Sequence, residues 1–198
     1  RLVIGVSRKE ITLKMAVARK SVDVGTKNLR EAVKDADLVI LCAPVYAIIE
    51  QIKQIQPWVK KNALIIDAGS TKTQIQKTAD HFITASTFVG CHPMAGSEKS
   101  GVANACPDLF ESSVCFVTKD HSVVNNFWKS LGARPVFVDA KKHDAWVAVA
   151  SHLPHLLSFA LFQNLKFNRQ FSANPSVRSL ARLSQSDAAL WSEIFLSN

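Results

Sequence analysis

The chain has 198 residues, enough for one sizeable core or a core with a smaller second lobe, and its 47% hydrophobic content excludes a disordered polyelectrolyte. Lys and Arg number 24 against 16 Asp and Glu, a net charge of +8, yet the basic residues are scattered and do not alternate with aromatics, which favours an anionic small-molecule partner over nucleic acid. Neither a membrane-length apolar run nor a signal-peptide pattern is visible, so the expectation is a cytoplasmic protein with no membrane partner.

The first strand-like run, residues 2–6, follows directly on Arg1 with no methionine ahead of it, so the chain is expected to be only partly represented at its front. Further short runs rich in β-branched residues fall at 38–42, 63–66, 88–89, 114–117 and 136–138. Stretches with helical spacing, such as 45–55 and 71–82, lie between most of them. Alternation of this kind predicts an α/β fold, a Rossmann-like doubly wound and mostly parallel sheet, over residues 1–140.

From residue 141 the pattern changes. "KKHDAWVAVASHLPHLLSFALFQNL" reads as a long apolar helix interrupted at Pro154, which has no N–H and leaves the Ala150 carbonyl without its helical donor. Residues 141–198 are thus expected to form a helical lobe, with a polar loop at 166–176 and a last helix over 177–196. The cysteines Cys42, Cys91, Cys106 and Cys115 form no C-x-x-C pair and are read as reduced thiols.

Ligands of an open parallel sheet bind beyond the carboxyl ends of its strands. The polar residues of this chain collect there: Ser7 and Arg8 after the first run, Cys42, Ala43 and Pro44 after the second, Gly69 and Ser70 after the third, and His92 after the fourth. In a dinucleotide fold the end of the second strand meets the adenosine ribose, where an acid accepts from a 2′-hydroxyl and an arginine accommodates a 2′-phosphate. Ser7-Arg8 therefore favours NADP, with NAD as the alternative. No G-x-G-x-x-G occurs, so on this register the first strand and its glycine turn are missing from the front.

Ser70 or Thr71 is expected to cap the helix that follows. His92 lies in "GCHPMAG", expected to be a loop constrained by Pro93 and flanked by Gly90 and Gly96, a setting suited to a positioned acid or base. His152 and His155 are three residues apart, which is not the i, i+4 spacing of a zinc helix, and no metal is expected.

Taken in order, "LCAPV", "DAGSTK", "GCHPMAGSEKSG", "HDAWVAVASHLPH" and "ARLSQSDAALWSEIFLSN" resemble the prephenate and arogenate dehydrogenases of tyrosine biosynthesis, and the resemblance covers nearly the whole chain. It implies a nucleotide-binding domain followed by a helical domain that makes a homodimer. The implied reaction is oxidative decarboxylation of prephenate to 4-hydroxyphenylpyruvate, or of arogenate to tyrosine, with NAD or NADP. Carried onto matching positions, it makes His92 the acceptor of the substrate's 4-hydroxyl proton and places Ser70 between nicotinamide and hydroxyl. His155 would help to hold the substrate, Arg182 would pair with a carboxylate, and Glu98 would lie at the mouth of the site beside a cation. Ser179 stands where the family commonly has an aspartate, and the family's further C-terminal helices are expected beyond Asn198. Two other readings are a β-hydroxyacid dehydrogenase, disfavoured by "HPMAG" and "SHLPH", and a non-catalytic ligand-binding remnant, kept open by the missing glycine turn.

Overall fold

The computed structural model describes residues 2–96, 101–164 and 174–198. The α/β part begins with β1 (Ile4–Val6), α1 (Glu10–Ala18), β2 (Val24–Thr26), α2 (Leu29–Val33) and β3 (Leu38–Leu41). It continues through α3 (Val45–Ile55), β4 (Leu64–Asp67), α4 (Thr73–Phe82), β5 (Thr87–Val89) and β6 (Cys91–Pro93), and ends with β7 (Val114–Val117), α5 (Ser122–Ser130) and β8 (Arg134–Phe137). Strand β2, with Gly25 in a three-residue run, gives almost no periodic signal and was not expected.

Three ladders result. β1 pairs with β2 in parallel; β3, β4 and β5 form a parallel set in that order; β7 joins antiparallel β6 to parallel β8. In the doubly wound order another strand separates the first two ladders. Among the described residues none does, and the outward apolar residues Ile4, Val6, Leu38 and Ile40 are exposed.

The core explains why β4 is the central strand. Its Ile65 and Ile66 are buried on opposite faces, as an interior parallel strand requires. On one face α3 presents Val45, Ile48, Ile52 and Ile55, a helical stripe, which packs with Ile75 and Ala79 of α4 against Val39, Leu41 and Ile65. The other face joins Ile66 and Val89 to Cys91, Cys115, Val117, Val124 and Trp128. Cys91 and Cys115 are buried and Cys42 and Cys106 exposed; all four are free thiols.

Residues Ala140–Gln163 run as one helical stretch: α6 (Ala140–Val147), a π-helical turn at Ala148–His152, and α7 (Leu153–Asn164). The wider turn stands just before Pro154 and absorbs the missing N–H, so the interruption is a bulge and not a break. By length and composition this stretch could cross a membrane, although its sequence is not uniformly apolar. The expected single last helix is two, α8 (Pro175–Ser184) and α9 (Ala188–Ser197), because the Asp187 side chain accepts from Leu190 N–H and starts a new helix. Most of the loop expected at 166–176 lies outside the described residues.

The strands' carboxyl ends are held by a buried ion pair. Lys72, 1% exposed, bonds the Asp67 carboxylate at the end of β4 and donates to the Cys91 carbonyl at 2.7 Å. Asp67 also accepts from Gly69 N at 2.8 Å and Cys91 N at 3.0 Å. A Cβ on Gly69 would stand 2.7 Å from Ile75 Cδ1 and 2.9 Å from this carboxylate, so any larger residue there would have to displace both. Replacing Lys72 with methionine leaves Asp67 charged and buried without its cation. We expect a loss of about 3–5 kcal/mol of unfolding free energy in a urea titration; a loss below about 1 kcal/mol would mean that the backbone donors suffice.

Candidate active site

The segment expected to be a loop at His92 is strand β6. Cys91, His92 and Pro93 run antiparallel to β7, with His92 opposite Phe116, because Asp67 pins Cys91 N and Lys72 pins its carbonyl. A strand fixes the His92 backbone more tightly than a loop does. The ring is half-buried, and its Nδ1 lies 2.9 Å from Nε2 of His143 on α6.

His143 is wholly buried, edge-on to Phe116 at 5.4 Å and to His92 at 5.1 Å. Its Nδ1 lies 2.8 Å from Asp144 Oδ1. The same carboxylate accepts from Lys72 N at 2.7 Å and Thr73 N at 2.8 Å, the first free N–H groups of α4. This corrects the expected cap. Neither Ser70 nor Thr71 caps α4: Thr71 Oγ1 bonds Ser197 Oγ at 3.0 Å, and the capping anion comes from the helical lobe. Asn198 donates to the Asp144 carbonyl at 2.8 Å and to His152 Nδ1 at 3.1 Å.

His155 lies flat on Trp191 of α9, with centroids 3.5 Å apart and planes 18° off parallel, and its Nδ1–H donates to the Ser151 carbonyl at 2.9 Å. The stacked ring keeps one orientation and has Nε2 as its acceptor. Arg182 is exposed on α8 and close enough for its charge to act on His155. Ser70 is half-buried directly after Gly69; no hydrogen bond joins it to His92 among the described residues. Glu98 lies outside the described residues.

At the end of β1, Ser7 Oγ accepts from Lys9 N–H at 3.2 Å and Arg8 is exposed. At the end of β3, Ala43 is half-buried and Pro44 opens α3; Pro44 makes no cap of its own, and the Glu193 carboxylate of α9 accepts from Tyr46 N–H in the first turn. Although Cys42 keeps an exposed edge, the protein packed around its thiol and then the Asp67 charge push it up to about 11, so it stays neutral. Arg8 supplies an exposed cation at the end of β1, whereas the start of α3 already holds the Glu193 carboxylate on its Tyr46 N–H. An exposed arginine at a strand's carboxyl end fits the anionic part of a dinucleotide.

His143, Asp144, Asp67, Lys72 and Trp191 were not singled out from sequence. For Asp67 there was a signal, an acid closing the apolar run "LIID"; for the His143-Asp144 pair there was none beyond its place eight residues before "SHLPH".

The family model described as prephenate dehydrogenase, nucleotide-binding domain, matches residues 1–137, and the one described as prephenate dehydrogenase, dimerization domain, matches 139–198. The chain belongs to the prephenate dehydrogenase family. It is 33% identical over 206 residues to prephenate dehydrogenase of Lactococcus lactis subsp. cremoris, covering 99% of this chain and 57% of that protein. Among solved structures, prephenate dehydrogenase from A. aeolicus in complex with hydroxyphenyl propionate and NAD+ has a TM-score of 0.86 at 27% identity, covering 98% of this chain and 72% of that one. Synechocystis arogenate dehydrogenase has a TM-score of 0.81 at 26% identity, covering 99% and 75%. The chain spans less than two thirds of the length of the curated relatives it matches.

Burial governs the imidazoles. Desolvation, then the Lys72 ammonium, hold His92 well below the ordinary imidazole value of 6.5; a proton on His143 or His152 would push the same way, and Asp144 pulls more weakly in the opposite direction. His152 and His155 are also lowered, first by burial. Burial pushes the Asp144 carboxyl up, but bonds from His143, Thr73 and Lys72 outweigh it and hold the group below its ordinary 3.8. Above 6.5 neither the folded nor the unfolded chain protonates these rings. As the pH falls through 6.5 the unfolded chain binds protons that the folded one refuses, so stability falls. Asp144 has the same sign at lower pH: its contribution is present above 3.8 and is lost as pH falls through its folded value. We expect Tm to decline from about pH 7 to about pH 5, and less steeply in His92→Asn; equal slopes would show that His92 titrates alike in the folded and unfolded chains.

Proposed function

We propose that the protein is an NAD(P)-dependent prephenate dehydrogenase whose general base is His92. One observation carries the reading: a neutral imidazole, built into a strand beside the parallel sheet's carboxyl edge, is tied to the helical lobe through His143. When bound, the nicotinamide supplies the hydride acceptor.

Residues Ser7 and Arg8 would hold the adenosine end, with Arg8 favouring a 2′-phosphate and hence NADP, and NAD as the alternative. Cys42, Ala43, Pro44 and Gly69 would line the cofactor's path, and Ser70 would meet the nicotinamide and the substrate hydroxyl. Residues 1–140 form the nucleotide-binding part and 141–198 the helical part on this reading.

The chemistry follows from electron count. Hydride leaves the hydroxyl-bearing ring carbon with two electrons as the hydroxyl proton passes to His92, giving a carbonyl. The bond to the ring carboxylate then breaks, and its electrons move through the ring to that oxygen as carbon dioxide departs. The phenolate takes the proton back from His92, so no net proton is held by the protein. A base that is neutral near pH 7 suits the first step. Aromaticity drives the second, and the residues need only orient the ring and its charges: His155 through its fixed Nε2, Arg182 through a carboxylate. Arogenate is the second reading, favoured by the likeness to an arogenate dehydrogenase.

A homodimer is proposed as well. Val149, Leu153, Leu156, Leu157 and Leu161 are exposed along one helical stretch. Its first turn carries Lys141 and Lys142 and is anchored through His143 and Asp144, which suits a second copy rather than lipid. Leu157→Glu is expected to shift the protein from dimer to monomer in sedimentation; an unchanged species would place the interface elsewhere.

Absorbance of the reduced nicotinamide, read on the full-length protein with prephenate or arogenate and NAD or NADP, tests the assignment directly. Turnover with prephenate is expected, faster with NADP. His92→Asn is expected to lower kcat by about 10²–10⁴-fold with little change in KM. Near-normal kcat in that variant would remove His92 as the base, and silence of the wild type in all four mixtures would leave the ligand-binding remnant.

A further inference from the structure

The tautomer of His92 decides whether it can act as a base, and the structure supplies an unbroken chain of hydrogen bonds that bears on it. Asp144 is a carboxylate that already accepts from two backbone N–H groups and offers only acceptors, so the proton in its contact with His143 sits on His143 Nδ1. A neutral His143 then has an unshared pair at Nε2, and the 2.9 Å contact to His92 Nδ1 requires His92 to donate. The remaining nitrogen of His92, Nε2, is left as the acceptor.

We propose that His143 and Asp144 are positioning residues, a carboxylate and an imidazole in series that hold His92 as its Nδ1–H tautomer with the lone pair on Nε2. This rests on His92 being the base. The groups around the pair are Lys72 at the start of α4, Asp67 behind it, and His152 on the π-helical turn; Phe116 and Trp146 close the apolar side. Lys72 is paired with Asp67, while Asp144 faces the N-terminus of α4, which stabilises its negative charge without a proton from His143. Were His143 instead cationic, its Nε2–H would donate to His92 Nδ1, and neutral His92 would carry its proton on Nε2, where it could accept nothing from a substrate.

The two arrangements are separated by long-range 1H–15N correlation of the histidine rings in the full-length wild-type protein near pH 7.5, assigned with His92→Asn and His143→Gln. We expect His92 to show a protonated Nδ1 and an unprotonated Nε2, and His143 to be neutral with its proton on Nδ1. A His92 protonated on Nε2, or a cationic His143, overturns the proposal without any activity measurement. Variants extend the test. His143→Leu removes the acceptor and is expected to lose the His92 tautomer and to lower kcat on the order of 100-fold, with KM nearly unchanged. In His143→Gln the side-chain amide can donate to Asp144 and accept from His92, so it is expected to recover both the tautomer and much of kcat. Equal behaviour of the two variants overturns the proposal. Asp144 also caps α4, so Asp144→Asn is expected to lose stability as well as the relay, and the wild-type spectrum decides in its place. If the spectrum is as expected but His92→Asn turns over normally, the base assignment fails while the tautomer control stands.

Discussion

The Asp144 carboxylate is the constraint on which the site depends. It is a side chain of the helical lobe, yet it accepts the first two free N–H groups of α4 in the sheet lobe and also holds the His143 ring. A helix N-terminus attracts an anion through its unsatisfied donors and its dipole. Here the anion is supplied from about 70 residues further along the chain, so one interaction both finishes α4 and sets how α6 meets the strand ends. Asn198 and Ser197, at the end of α9, close the same junction through the Asp144 carbonyl, His152 and Thr71.

Behind this junction lies the Lys72–Asp67 pair. Burying two charges costs more than their attraction returns unless the remaining donors and acceptors are also satisfied. They are satisfied here: the carboxylate by Gly69 and Cys91 N–H, the ammonium by the Cys91 carbonyl. The effect is to join the end of β4 to the beginning of β6, so that His92 leaves the sheet in a strand and at a fixed height. The same ammonium helps to keep His92 deprotonated, which makes the ion pair an electrostatic as well as a geometric support for the site.

Most of the α/β plan was legible because β-branched runs and the α3 stripe carry strong periodic signals; Ile48, Ile52 and Ile55 are buried where their spacing places them. Short strands were not legible. β2 is only "VGT", and β6 is only "CHP", a proline-containing triplet that reads as a turn and is extended because buried partners grip both polar groups of Cys91. The capping error has a related origin: Ser70 and Thr71 carry the local capping signal, while Asp144 wins through a contact that no local window contains. The family motifs pointed to His92 and His155, both now placed in strongly oriented settings. The residues that orient them, His143 and Trp191, lie within the motifs that carry the resemblance, but their orienting role is visible only in space.

That distribution of labour follows from the chemistry. An imidazole offered to a substrate needs one nitrogen committed to the protein, because a ring free at both ends exchanges tautomers and loses half its basic population at the reactive atom. His155 meets the need locally, by donating to the carbonyl four residues earlier in its own helix. His92 cannot, since in β6 the Cys91 N–H and carbonyl are already held by Asp67 and Lys72 and Pro93 has no N–H. Its partner must come from another element, and α6 is the element that passes. On the relay proposed above, the proton of the reactive ring is therefore assigned by the helical lobe and the ring's position by the sheet, so the base is complete only where the two lobes meet.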